Sequence, residues 1–511
     1  MAAPLRYPLI LLAWGIMALI YLPVFPAIAL MLAPAFRLAC WQALFADPQI
    51  WQALAATLIS TLLAVGGALL ISLTLVAALW PSRGWRQLAG RLPLLLAVPH
   101  VAFATGALLL FAEGGWLYRV CSVCSPPADR YGIGLGLTMA IKESGFLLWA
   151  IYGLLSEKRL AEQATVLKSQ GYGRWQCLNW LILPTLLPSL AIVLVATTAW
   201  SLSTVDVALV IGPGNPPTLA VLAWQWLNQG DDMQQAKGAL ASLLLLLILG
   251  GVLVCAWGGW RLWQRQIPDL RGIRRPQPRA LAGRLLAIGL PLSGLLCALL
   301  LAALAQSASP LSDSLANSLG LALLASLAGA LVCLLWLECG PSRGDSWVWL
   351  PLVLPALPLA DGQYQLALYT WQDGQFATVL WGHLLWVVPW MLFVLRPAWR
   401  HRDPRLELVA RTLGWGRWQR VWRVKLPMLV RPLLMALAVG FSVSIAQYLP
   451  TLWLGAGRTP TLTSEAVALS SGGDTQTLAA QALWQLLLPA MVFSLTALLA
   501  WLAGRYRRGL R

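Results

Sequence analysis

Apolar runs as long as a bilayer is thick dominate this sequence, and they constrain the fold before any motif is considered. A helix rises 1.5 Å per residue, so about 20 apolar residues cross the hydrocarbon core. Such runs lie near 8–31, 53–80, 92–112, 133–155, 185–210, 236–260, 285–306, 314–337, 347–370, 376–397, 428–453 and 480–503. Twelve spans with short connections use up the 511 residues and leave no room for a large extramembrane domain. Composition agrees: 59% of residues are hydrophobic and 11% charged, against about 25% charged in a soluble domain. Water offers nowhere to hide that much apolar surface, which excludes a soluble enzyme and a disordered chain. The expected fold class is an all-α polytopic membrane protein. Its first run follows Arg6 as in a signal peptide, but it exceeds an h-region and further spans follow, so it is expected to be a retained anchor.

The net charge of +17 would suggest nucleic acid on a soluble protein. Its distribution says otherwise. With the N-terminus inside, the alternating connections hold 30 Lys and Arg on the inner side and 5 on the outer side, with Lys142 left in a span. Basic residues stay cytoplasmic because translocating them is unfavourable. The charge therefore reports topology, with both termini cytoplasmic in a cell membrane, and no nucleic-acid partner is expected. Among the cysteines, Cys121 and Cys124 form a CxxC in an outside loop. They are either unrelated small residues or a local disulfide, which only an oxidising compartment permits.

The chain also repeats itself. Gly171-Tyr-Gly-Arg-Trp-Gln-Cys-Leu-Asn-Trp-Leu-Ile-Leu-Pro184 matches Gly414-Trp-Gly-Arg-Trp-Gln-Arg-Val-Trp-Arg-Val-Lys-Leu-Pro427 at an offset of 243. The register persists to Gly212, Gly214, Pro217, Thr218 and Leu219, which match Gly455, Gly457, Pro460, Thr461 and Leu462. Chance does not hold one register so long. The organisation expected is two homologous six-span halves, 1–264 and 284–511, joined by a cytoplasmic linker at 265–283. An even span count per half makes the repeat parallel.

Between its fourth and fifth spans each half carries a polar-to-basic loop on the inner side. Residues Glu157 to Ser169 and Pro404 to Leu413 read as short helices, Pro404 suiting a first turn. Gly171 and Gly414 stand where those helices must stop, since glycine tolerates a left-handed cap. Arg-Trp then opens a second helix running to Leu-Pro, with Trp175 and Trp418 placed to anchor at the interface. The result is a helix–Gly–helix finger in each half.

This finger resembles the EAA loop of permease subunits in binding-protein-dependent ABC importers: Glu-Ala-Ala, three residues, Gly, then hydrophobic-x-Leu-Pro. The glycine-to-proline spacing of 13 fits in both copies. The resemblance covers about 50–260 and 310–505, and fused two-half permeases of this kind are similar to those of thiamine and ferric-iron importers. It departs from the family at the acidic position, which holds Thr165 and Leu408 here, and at the alanine pair, which becomes Val166-Leu167 and Val409-Ala410. Glutamates stand nearby at Glu162 and Glu407. The resemblance implies that Glu162, Ala164, Gly171, Glu407, Ala410 and Gly414 contact separate ABC ATPase subunits, which form a homodimer. It also implies a periplasmic or extracellular substrate-binding protein and a place in the bacterial inner membrane. The competing reading of the loop, a basic segment held by anionic membrane lipid, needs charge but not a repeated Gly-x-Gly-Arg-Trp-Gln.

Other chemistry is missing. None of the five lysines follows a glycine, so no P-loop can cradle ATP. His100, His383 and His401 are far apart in sequence, and no metal ligand set, catalytic triad or cofactor motif is expected. Asp361-Gly362 and Gly472-Gly473 read as turns. Ionisable groups within spans are usually functional. Lys142 and Glu143 sit mid-span, about 100° apart around their helix, each able to bond a neighbouring helix. Asp206 lies near the end of the fifth span, and its repeat equivalent Leu449 follows Gln447 and Tyr448. Asp206 and Gln447 are candidate pathway residues, and His383 reads as a satisfied core histidine. Two rival functions remain at this point: an ion-coupled secondary transporter, which has no need of two fingers, and a membrane enzyme on lipid-linked substrates, which needs reactive clusters outside.

Overall fold

The structure, a computed structural model, describes residues 6–112, 115–121, 129–157, 160–268, 282–306, 308–341, 345–472 and 474–505. All regular elements among them are helical. The first half runs through α1 (Arg6–Tyr21), α2 (Val24–Leu32), α3 (Leu38–Ala46), α4 (Ile50–Leu79), α5 (Arg83–Leu96), α6 (His100–Phe111) and α7 (Trp116–Val120). It continues with α8 (Ile133–Glu157), α9 (Leu160–Ser169), α10 (Arg174–Cys177), α11 (Leu183–Ser203), α12 (Asp206–Ile211), α13 (Leu219–Leu227) and α14 (Asp232–Gln264). The second half begins with α15 (Ala282–Ala305), α16 (Ser312–Cys339), α17 (Leu350–Val353), α18 (Ala356–Tyr369), α19 (Phe376–Arg400) and α20 (Pro404–Thr412). It ends with α21 (Arg417–Arg420), α22 (Leu426–Ile445), α23 (Leu449–Gly455), α24 (Leu462–Ser470) and α25 (Thr475–Arg505).

Ten helices among the described residues are long and apolar enough to cross a membrane. Of the two further spans expected, the fourth is the continuous helix α8, which carries Lys142 and Glu143, and the ninth is divided into α17 and α18. Most of the linker and Cys124 lie outside the described residues, while Cys121 is disulfide-bonded.

In lipid, close approach of helices replaces the hydrophobic effect as the glue. One face of α4 is accordingly small: Ala53, Ala56, Thr57, Ser60, Ala64 and Ala68 are buried on it, with α8 against Ser60 and α13 against Thr57. A Cβ on Gly136 of α8 would lie 2.8 Å from the Ser60 carbonyl. The opposite face of α4 exposes Leu58, Leu62 and Leu70, as a lipid-facing surface does.

The first helices cross over. α1 lies against α16 and α19 of the second half, and α2 against α18, while α15 lies against α4, α5 and α6 of the first half. Tyr21 Oη donates to the Val348 carbonyl (2.8 Å), and the Trp14 ring meets Trp336 edge-on at 5.0 Å. Asp361-Gly362 is no turn, contrary to expectation: it lies inside α18. Gly362 is there because a Cβ would sit 2.6 Å from the carbonyl of Pro23, which caps α2.

Besides the first, which divides into α1 and α2, four spans expected to be continuous are broken. The third spans break before α6 and α18, where Pro99 and Pro355 cap the following segment. Proline has no N–H and forces the residue before it out of the helical region. The fifth spans break at 204–205, where Thr204 is extended, and at 446–448, before Leu449-Pro450. These breaks bring irregular backbone to one place between the halves, which is tolerated only where it lines a cavity or is buried in protein.

Candidate functional site

The two fingers fold as sequence and chemistry dictate. Gly171 N donates to the Lys168 carbonyl (3.0 Å) and Tyr172 N to Leu167 (3.1 Å). Gly414 N donates to Arg411 (3.0 Å) and Trp415 N to Ala410 (3.0 Å). This is the paired closure of a Schellman cap, with φ of +97° at Gly171 and +76° at Gly414. The second glycine of the motif begins the next helix. Gln176 Oε1 accepts from Gly173 N (2.7 Å), and Gln419 Oε1 from Gly416 N (3.1 Å), so the glutamine at N3 turns back onto the N-cap N–H, the one half of a capping box that a glycine N-cap allows. Gly-x-Gly-Arg-Trp-Gln is thus a stop, a corner and a start. The Leu-Pro ending has a local cause too. Turns of π-helix at Leu178–Ile182 and Val421–Lys425 precede Pro184 and Pro427, where proline withholds a helical donor.

Both corners are tied to the second span of their own half. Arg174 donates to the Ala78 carbonyl at the end of α4, and Arg417 Nη2 to the Glu338 carbonyl at the end of α16 (3.0 Å). Cations favour helix C-termini. Beyond this anchor the fingers differ. In the second, Lys425 Nζ lies 2.6 Å from Glu338 Oε2 and 3.5 Å from Glu407 Oε1, with Arg417 Nε 3.0 Å from Glu338 Oε1 and Arg411 Nη2 3.0 Å from Glu407 Oε1. Burial raises the Glu407 titration, but the Arg411 hydrogen bond and the Lys425 charge outweigh it and hold this carboxyl below its usual range. In the first finger the repeat positions of Glu407 and Lys425 are Ala164 and Ile182, and Ala78, whose carbonyl receives Arg174 as that of Glu338 receives Arg417, stands at the place of Glu338. All three are buried. Among the described residues, ions hold the second finger at these positions, where the first has apolar packing.

The six expected finger residues fall where they can be compared. Glu162 is exposed in the first turn of α9, and Ala164 is 0% exposed beneath it. Glu407 is half-buried in the ion network, Ala410 is buried, and both glycines are corners. Trp418 is exposed, whereas Trp175 packs on the first-half core.

A cavity of about 240 Å³ lies between the halves and brings together Lys142, Glu143, Asp206 and Gln447. His100, at the start of α6, joins them, with Nε2 2.7 Å from Glu143 Oε1. Thr204 donates to Asp206 Oδ1 (3.0 Å), and Gln447 Nε2 to the His383 carbonyl (3.0 Å). His383 has both ring nitrogens bonded, to Ser444 at 2.8 Å and Thr451 at 2.9 Å, as a satisfied core histidine should. Trp149, Trp200, Trp386 and Trp390 supply aromatic walls. Among the described residues no group of three or more His, Cys, Asp or Glu side chains could hold a metal ion.

Over all 511 residues, and the full length of both chains, this protein is 59% identical to the inner membrane ABC transporter permease protein YnjC of Escherichia coli (strain K12). The chain belongs to the ABC transporter permeases of binding-protein-dependent importers. Residues 344–508 match the family described as binding-protein-dependent transport system inner membrane component. The thiamine transport system permease protein ThiP of the same organism is 27% identical over 454 residues, 80% of this chain and 81% of its own. As a permease subunit the chain forms a translocation pathway across the inner membrane, which selects the importer over the secondary-transporter and membrane-enzyme readings.

Three sets of residues in this permease escaped the sequence reading. Gln176 and Gln419 repeat in register, and that signal was available. Lys425 and Glu338 lie 87 residues apart, and only the fold makes them neighbours. His100 has no sequence partner, because its carboxylate is on another helix.

Proposed function

We propose that the two fingers transmit the ATPase cycle to the two halves of this permease, 1–264 and 284–511, around the central cavity. Each finger joins the fourth and fifth spans, and the fifth spans break at the cavity edge. A push on a finger therefore reaches the pathway through one rigid helix. The observation that carries this reading is the corner shared by both fingers: same glycine closure, same glutamine cap, same arginine anchor on the second span. Glu162, Ala164 and Gly171, with Glu407, Ala410 and Gly414, form the surface or support of the contact. The partners are a homodimer of ABC ATPases on the cytoplasmic side and a substrate-binding protein on the outer side, with both termini cytoplasmic and lipid around the exposed leucines.

Two measurements test this directly. Purified permease alone should hydrolyse no ATP above background, and turnover should appear only when an ATPase subunit is added. Robust hydrolysis by the chain itself would overturn the assignment. For orientation, a cysteine replacing exposed Thr412 should resist an impermeant thiol reagent in intact cells, and one replacing exposed Ser471 should react. Labelling at 412 before lysis would invert the topology.

A further inference from the structure

We infer that the cavity between the halves is a binding site for a small organic cation, with Asp206 as its counter-ion and indole faces as its walls. The inference rests on reading this cavity as part of the transport path. Its first support is charge. Asp206 is 5% exposed and accepts a hydrogen bond from Thr204, yet it takes part in none of the ion pairs among the described residues. The remaining titratable groups facing the cavity are His100, Lys142, Glu143 and Tyr448. Lys142 and Glu143 are adjacent and offset each other formally, and His100 is engaged by Glu143. With His100 neutral, one negative charge, that of Asp206, is left over. A buried charge is costly unless something opposite partners it.

The second support is unmet hydrogen bonding. Gln447 Oε1, Trp200 Nε1 and Ser442 Oγ line the cavity or its rim, are buried, and have no partner among the described residues. Gln447 is 9% exposed, and its amide nitrogen is already committed to the His383 carbonyl, which fixes the oxygen as the free end. Buried polar atoms without partners are exceptions that ask for a ligand or water. The third support is the wall itself. Trp149, Trp200, Trp386 and Trp390 surround the space, and a cation over an indole face is attracted by the ring quadrupole. A metal ion would want several oxygen or nitrogen ligands, whereas this site offers one spare carboxylate, three spare acceptor or donor atoms and much apolar surface. That combination fits a monovalent cation with an apolar or aromatic body, sized for about 240 Å³.

The test uses purified full-length permease in lipid nanodiscs and three probes that share a benzene ring: benzyltrimethylammonium, neutral benzyl alcohol and anionic benzoate. Calorimetry or saturation-transfer NMR should show benzyltrimethylammonium binding at least tenfold tighter than either of the others. Asp206→Asn should weaken it at least tenfold, Trp390→Leu severalfold, and Asp232→Asn, on the exposed start of α14, not at all. Should Asp206→Asn fail to insert, the preference among the probes on the unaltered chain still decides. Equal or tighter binding of benzoate, undiminished affinity in Asp206→Asn, or no binding of any probe would each overturn the inference. ATPase capture measured on the same samples keeps the two readings apart. Permease that captures its ATPase but binds no cation refutes only this site. Permease that binds the cation but captures no ATPase refutes only the coupling role of the fingers.

Discussion

Replacing Gly171 or Gly414 with valine should abolish uptake while leaving the permease inserted in the membrane. Both glycines hold positive φ at a helix corner. A left-handed backbone costs an ordinary residue about 1–2 kcal/mol, and a β-branched side chain is worse off there. A change of about 1.4 kcal/mol is tenfold in an equilibrium, so the corner should open in a large share of molecules. Nothing lies within 4 Å of a Cβ built on Gly414, so backbone conformation and not crowding carries the effect at that position. Asparagine tolerates this conformation, and Gly414→Asn should keep most of the uptake that Gly414→Val loses. Gly171, at +97°, lies farther from the conformation asparagine accepts, and Gly171→Asn should rescue less. The spans are untouched in every case. The assay is uptake together with co-purification of the ATPase, and full-rate transport by Gly414→Val would refute the role of the corner.

The second large effect is expected at Lys425. It is 6% exposed and holds Glu338 and Glu407 together. Removing one member of a buried ion cluster strands the others, at a cost of about 3–5 kcal/mol. Lys425→Ala should therefore loosen the second finger severely, and Glu407→Ala, at the half-exposed end of the cluster, should do so much less. The first finger shows what replaces the ions. Installing its residues together, as Glu338→Ala, Lys425→Ile and Glu407→Ala, should restore ATPase capture that Lys425→Ala alone destroys, because no carboxylate is left stranded and Arg417 keeps its bond to the carbonyl of residue 338, as Arg174 does at Ala78. Failure of the triple variant to exceed the single one would refute the equivalence. Acid acts on the same cluster. Glu407 titrates below its usual range, so its contribution is present at neutral pH and is lost as pH falls through that lowered value. Protease protection of the second finger should drop on acidification before that of the first, whose equivalent residues do not ionise.

The legibility of this permease in its sequence divides along one line. Local features were readable because neighbours in the chain create them. The apolar runs, the basic bias, the short helices before Gly171 and Gly414, and the repeat itself all depend on contiguous residues, and the expected helices 157–169 and 404–413 correspond to Leu160–Ser169 and Pro404–Thr412. The continuous reading of five spans failed because hydropathy averages over a window and is blind to a single proline or an extended threonine inside it. The signals at Pro99 and Pro355 were present, but an apolar run with proline reads the same whether it kinks or breaks.

What the sequence determined by itself was the solvent, the helical class and the two-fold repetition, since each follows from composition and period alone. The tertiary structure decided everything that rests on distance between remote residues. It placed α1 and α15 each on the opposite half. It set Lys425 against Glu338, and His100 against Glu143. It gathered Asp206 and Gln447 from equivalent breaks into one cavity. The physical reason is that charge and hydrogen-bond partners are chosen by proximity in space, over a few ångströms, while the chain orders its residues by covalent bonds that say nothing of which helices will touch.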